Sequence, residues 1–304
     1  MPNIWTHIIF VDTLCHDLGH KALLDTSYAS LHMGAQGPDP FFYHNFLPFL
    51  PDQKVAEVGM QLHTENCGPF LLDMIKIGSQ SKHHLQAYIL GFVSHHILDR
   101  HTHPYIHYHA GYEGNKHQKL EVIIDTLMLQ RERNRKSWHT PVHKEIRIKK
   151  NTTAIADMMY TLIDTHYPGT VEAYSPSFVT RSLQHIQAAQ RVLYDPWKWK
   201  NKYFGPLVSS FSHQPISQPK DYLNENRTDW NHPATNKVRD ESFLDLYKKA
   251  LDEGERLFKH IFNYWETLEA AHWYKIQEII DNVSYDTGET LDKKLTNKYS
   301  RPII

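Results

Sequence analysis

The sequence predicts an all-α protein, a bundle of many helices packed around one core. Three observations carry that expectation. Apolar residues recur at helical spacing in most long stretches. Strand signals are weak everywhere. The chain has 304 residues, 40% of them hydrophobic and 22% charged, the composition of a folded domain with a sizeable interior. One mainly helical domain over 1–304 is expected.

The elements follow in order. Residues 5–28 read as one helix, because Trp5, Ile8, Ile9, Val11, Leu14 and Leu18 form an apolar stripe. Residues 33–52 read as irregular, since GAQGPDPFFYH is too rich in glycine and proline for a helix. Residues 54–78 are helical, with Gly68 and Pro69 as the dividing point. The most apolar helix covers 81–103, SKHHLQAYILGFVSHHILDRHTH, and Pro104 limits it. Helices are expected over 115–134, 149–165 and 177–194. PWKWKNKYFGP then breaks the pattern. Residues 206–240, with Pro215, Pro219 and Pro233, read as a loop-rich excursion, a lid or a wrap. Helices over 241–265 and 267–281 close the series.

Composition also bounds the function. The net charge of −1 gives no global pull towards nucleic acid or an acidic membrane, so nucleic acid is not an expected partner. No stretch approaches the length of apolar chain needed for a transmembrane helix. The start, MPNIWTHIIF, has no cleavable leader pattern, which makes the cytoplasm the expected location, with peripheral membrane contact open. Cys15 and Cys67 form no disulfide framework and are expected as buried thiols.

Histidine is the outlier. Of 23 histidines, 15 lie within residues 1–117, and each is a potential metal ligand or proton carrier. Two pairs stand out, His95 with Asp99 and His117 with Glu121. Each pair is four residues apart, which stacks imidazole and carboxylate on one helix face, about 6 Å apart along the axis. His103 extends the first series. From His95 to His103 a helix rises about 12 Å, too far for one ion with bonds near 2 Å. The series therefore suits two ions, with Asp99 between them. The metal-binding half is expected within 1–135.

Other residues are more ambiguous. His63 is either a ligand or a satisfied helix histidine. Asp39, in a Gly-Pro-Asp-Pro turn, either caps that turn or uses it as a stiff platform for a catalytic carboxylate. His7 is either a ligand or a packed residue. CHDLGH contains a histidine–aspartate doublet, His16–Asp17, the core of the HD phosphohydrolase signature. His83, His84, His96, His101, His107 and His109 lack comparable spacing and read as supporting or rim residues. Trp197 and Trp199 read first as packing of a loop on the core, and second as a contact with a membrane surface or a base.

Several segments together resemble the zinc-dependent phospholipase C family, and more distantly the S1/P1-type nucleases. They are MPNIWTH at the start, GPDPFFYH at 37–44, HHILDRHTHPYI at 95–106, the HxxxE of His117–Glu121, and WNHPATNKVRDESFLDLYKKA at 230–250. The resemblance implies a phospholipase C/P1 nuclease-like helical bundle that holds two or three Zn2+ ions and hydrolyses phosphoric esters. It implies His63, His95 and Asp99 as ligands of one ion, and His103, His117 and Glu121 as ligands of a second. Asp99 would bridge to a third, completed by His7 with His20 or with terminal backbone. Asp39 resembles the family carboxylate beside the attacked phosphate, and it and Asp99 are the catalytic candidates. The expected partner is a phosphate-ester substrate, phospholipid being favoured by the resemblance alone. The rivals are a non-catalytic zinc-binding helical protein and an HD-type phosphohydrolase.

Overall fold

The computed structural model describes residues 4–46, 50, 54–148 and 152–304. Its helices are α1 Ile4–Asp17, α2 Lys21–Gly34, α3 Val55–Thr64, α4 Cys67–Gly78, α5 His83–Ala110, α6 Lys116–Arg133, α7 Thr152–His166, α8 Ser177–Leu193, α9 Trp199–Val208, α10 Phe243–Thr267 and α11 Ala270–Ile280. A two-stranded antiparallel ribbon, β1 Trp230–Asn231 and β2 Val238–Arg239, pairs Trp230 with Arg239. Among the described residues no helix is long and apolar enough to cross a membrane.

Helix α5 is the axis of the molecule. It is buried on nearly all sides from Ala87 to Ala110, as expected of a helix with no single apolar stripe. Helices α1, α2, α6 and α10 pack around it. Helix α10 is the opposite case, a two-faced helix that buries Phe243, Leu246, Ala250, Leu257, Phe258 and Ile261. A capping box starts it. The Ser242 hydroxyl accepts the Asp245 N–H at 3.1 Å, and the Ser242 N–H donates to the Asp245 carboxylate at 2.8 Å. One hydrophobic cluster runs from Ile4 to Ile280.

Several sequence expectations are corrected. Residues 5–28 are two helices. The His20 N–H reaches back to Cys15 O and the Gly19 N–H to His16 O, the closure that ends a helix on a left-handed residue, here Gly19 at φ 77°. Residues 54–78 divide at Glu65–Asn66, because Pro69 sits in the first turn of α4, where no backbone donor is required. Helix α5 runs through Pro104 to Ala110. The segment read as a break, PWKWKNKYFGP, holds most of α9, interrupted by non-helical Phe204. The excursion at 206–240 is largely irregular but does not stand off the body. Trp230 and Leu223 are buried, and the Tyr105 hydroxyl donates to Tyr222 O at 2.9 Å. Cys15 and Cys67 are buried and free, and burial pushes both thiols up to about 12. Residues 1–3, 47–49, 51–53 and 149–151, on which parts of the sequence reading fall, lie outside the described residues.

Candidate metal centre

Four turns of α5 present His95, Asp99, His103 and His107 at four-residue spacing. Other elements bring donors to them. Helix α1 brings His7, held in place because the Trp5 and Thr6 N–H groups at the helix start donate to Asp125 of α6 at 3.0 and 2.6 Å. The last turn of α3 brings His63. The 3-10 turn Asp39–Tyr43 brings Asp39. Helix α6 brings His117 and Glu121, whose Nε2 and Oε1 lie 2.6 Å apart.

The donors form overlapping groups: His7, His95 and Asp99; Asp39, His63 and His95; His103, His117 and Glu121; and His103, His107 and Asp286. Within each group the candidate ligand atoms lie within 4.8 Å of one another. Ring orientation is fixed from behind. The His63 Nδ1 donates to Gly59 O at 2.6 Å, and the His95 Nδ1 to Ala35 O at 3.0 Å. Each bond turns the Nε2 lone pair towards the carboxylates, as ligand histidines require. Nε2 of His63 and Nε2 of His95 lie 3.6 and 3.7 Å from the same Asp39 oxygen. Around Asp99, the Nε2 atoms of His95, His7 and His103 lie at 3.0, 3.4 and 3.5 Å.

Four of these five distances fit a cation better than a hydrogen bond, the exception being His95–Asp99 at 3.0 Å. Donors on a tetrahedral zinc with bonds of about 2.0–2.1 Å are about 3.3–3.5 Å apart, beyond good N–H···O distances. Both oxygens of Asp99, both ring nitrogens of His7 and of His103, Nε2 of His95 and one oxygen of Asp39 are buried with no hydrogen bond. Buried polar atoms in such numbers are rare in a native core unless something else satisfies them. The donor set, imidazole and carboxylate, is the one zinc takes.

The electrostatics agree for most members. Burial lowers His7, aided by neighbouring His95, and lowers His103 to about 4 against the pull of Asp99. Burial also holds His117 well below the usual range. These imidazoles are neutral at pH 7, the form that ligates metal. Burial alone would raise Asp99, but His103 and His95 outweigh it and keep the carboxylate ionised. His95 differs. Asp99 and Asp39 outweigh burial and raise it, so proton and cation compete for its Nε2.

A cavity of about 540 Å³ opens over the centre. Asp39, His63, His103, His117, Glu121 and Asp286 form its polar side, and Phe42, Tyr43, Met60, Tyr112 and Phe211 its apolar side. His7, His95 and Asp99 lie deeper.

His20 is not brought to this centre. Its ring stacks on Phe262 with centroids 3.6 Å apart, and it joins none of the donor groups. Thirteen residues along α1 and its end carry it about 20 Å from His7. His16 and Asp17 are exposed neighbours, 3.2 Å apart, and among the described residues they join no group of metal-type donors, which gives the HD reading no support. Trp197 and Trp199 are not packed on the core but 82% and 49% exposed. Two donors escaped the sequence reading. His107 continues the four-residue series of α5, a signal hidden by treating Pro104 as a helix end. Asp286 lies in the C-terminal segment and has no local signature.

An all-α bundle gathers buried histidines and carboxylates under an open cavity, donor groups able to hold metal ions beside space for a substrate. The model of the zinc dependent phospholipase C family matches residues 6–193, more than half of the chain, and the protein belongs to that family. With these donor groups it is a metal-dependent hydrolase of phosphoric esters. No curated protein and no solved structure matches the chain.

Proposed function

We propose that this enzyme is a phospholipase C-like phosphodiesterase that cleaves phospholipids with two or three zinc ions. Asp39, His63 and His95 would hold one ion, His103, His117 and Glu121 a second, and His7 with Asp99 a third, Asp99 facing His7 of α1 and His95 and His103 of its own helix. Zinc at these positions supplies Lewis acidity, which lowers the pKa of water towards neutrality and neutralises charge on phosphoryl oxygens.

The chain's own residues do the rest. The carboxylate of Asp39 lines the cavity and orients, or takes a proton from, water near an incoming diester. Asp99, fully buried, keeps the imidazoles in register and contributes fixed negative charge. Phe42, Met60, Tyr112 and Phe211 offer an apolar wall suited to the glycerol end of a lipid. Three residues before Phe211 the chain leaves α9, where Trp197, Trp199, Tyr203 and Phe204 are exposed beside Lys198 and Lys202. Aromatic residues with lysines suit the headgroup region of an anionic bilayer.

The observation that carries the reading is the cavity bordering the donor groups. A purely structural zinc site is closed by protein ligands, whereas a catalytic site keeps an open side. The test is release of phosphorylated head group from phosphatidylcholine vesicles by the zinc-loaded protein. Bis(p-nitrophenyl) phosphate, p-nitrophenyl phosphate and a dinucleotide run in parallel. Preferential cleavage of the lipid diester is expected. Turnover of the monoester or the dinucleotide alone would replace the lipid assignment, and no turnover of any substrate would sink it.

A further inference from the structure

We infer that Asp286, with His107, is a metal ligand, and that the cation at the His103–His117–Glu121 end of the cavity draws a carboxylate from the C-terminal segment. The inference rests on the metal-binding reading above and extends it to a residue outside the matched region, 6–193.

The geometry repeats what is seen around Asp99 and Asp39. The His103 Nδ1 and His107 Nε2 lie 3.4 and 3.7 Å from the same oxygen of Asp286. Those are again separations of atoms sharing a cation rather than a proton. Both ring nitrogens of His107 are buried without a hydrogen bond, as are both of His103. The ring of His107 lies 4.7 Å from that of His117, so the two donor groups border one patch of the cavity wall. Asp286 itself lines the cavity. Two nitrogens and an oxygen, next to the separate His103–His117–Glu121 group, favour a divalent ion of zinc type over magnesium or calcium, which prefer all-oxygen sites.

The turn carrying Asp286 is built to hold it there. Tyr285 is buried, and its N–H donates to His63 O at 3.2 Å, tying the turn to another donor's backbone. Val283 and Thr290 form an antiparallel bridge across the turn. The Asp286 N–H donates to Ser284 Oγ at 3.2 Å, and the Gly288 N–H to Ser284 O at 3.1 Å. Gly288 has φ 63° and sits against Arg100 O, where any side chain would collide. That carbonyl is the one Pro104 cannot bond within α5, so the irregularity in the helix faces the turn. The side chain of Asp286 is thus fixed by contacts that do not involve its carboxylate.

The test is zinc binding by the full chain, stripped with chelator and titrated with zinc alone against a chromophoric competitor, with equivalents counted by native mass spectrometry. Asp286→Asn keeps the size of the side chain and a carbonyl acceptor but loses the charge. His107→Gln perturbs the same group from the helix. Each variant is expected to weaken one equivalent about tenfold or more and to leave the others unchanged. Glu121→Gln should weaken that same equivalent, and Asp99→Ala a different one. Circular dichroism establishes that each variant is folded. Titrations of Asp286→Asn and His107→Gln that superimpose on the parent's would overturn the inference while leaving the metal centre intact. A parent chain that binds no zinc would overturn both.

Discussion

Asp99 and Asp125 are both fully buried carboxylates, on helices packed side by side, and their surroundings differ in one respect. Asp125 is saturated. It accepts from the Trp5 N–H at 3.0 Å, the Thr6 N–H and hydroxyl at 2.6 Å each, and His213 Nε2 at 3.0 Å. Asp99 has three imidazoles at similar range and no hydrogen bond from any of them. A carboxylate satisfied by donors serves stability. One ringed by lone pairs suits a cation, and without one carries a desolvation cost.

The contrast is sharpest in two substitutions. Asp99→Ala should remove at least one equivalent of zinc and lower hydrolysis about a thousandfold or more. The metal-free protein should lose no more than about 1 kcal/mol, because an uncompensated charge has gone. Retention of both metal and activity would dissolve the distinction. Asp125→Ala should behave oppositely. Four bonded partners lose their acceptor and the start of α1 loses its cap, a cost of about 3–5 kcal/mol in urea denaturation whether or not zinc is present. A cost below about 1 kcal/mol would show that Asp125 is not the anchor described.

Glu253 lies between these extremes, paired with Arg100 and His101 but partly exposed. Burial would raise it, but the His101 and Arg100 partners hold it at about 2, against 4.5 for a free glutamate. A folded-state value below the unfolded one means stabilisation that is complete above pH 4.5 and lost as pH falls towards 2. Glu253→Gln should cost about 2–3 kcal/mol at pH 7 and progressively less below pH 4.5. A cost independent of pH in that window would assign the effect to packing. The smallest effect is expected at His20. Its alanine variant should lose about 0.5–1.5 kcal/mol of ring stacking and bind as much zinc as the parent. Any loss of an equivalent there would return His20 to the metal centre.

The parts of this centre that sequence made legible share one property, proximity along a helix. His95, Asp99 and His103 reveal themselves by spacing, as do His117 and Glu121, because α-helical geometry converts a count of residues into a direction. What spacing could not supply was the meeting of separate elements. His7 and His63 were named but left ambiguous, since only tertiary packing turns their rings inwards. Asp286 arrives through a turn stapled to α5 some 180 residues from its nearest partners, and no local pattern announces it. The errors in the fold have a similar origin. Pro104 lies inside a helix because the surrounding bundle outweighs its local cost. The stripe over 5–28 continues in phase across a tight turn that leaves little mark on hydrophobicity.

The four-residue series on α5 has a consequence for how far apart cations can sit. Each step of four advances the helix by about 400°, so successive donors precess by about 40°, and His95 and His107 differ in azimuth by about 120°. The row therefore fans out like a spiral stair, with His7 and His63 meeting its first treads and Asp286 its last. One amino acid inserted between Asp99 and His103 would swing the later treads by a further 100° or so. Only whole turns can be added without scattering them, which makes the pitch of a single helix the gauge for the entire centre.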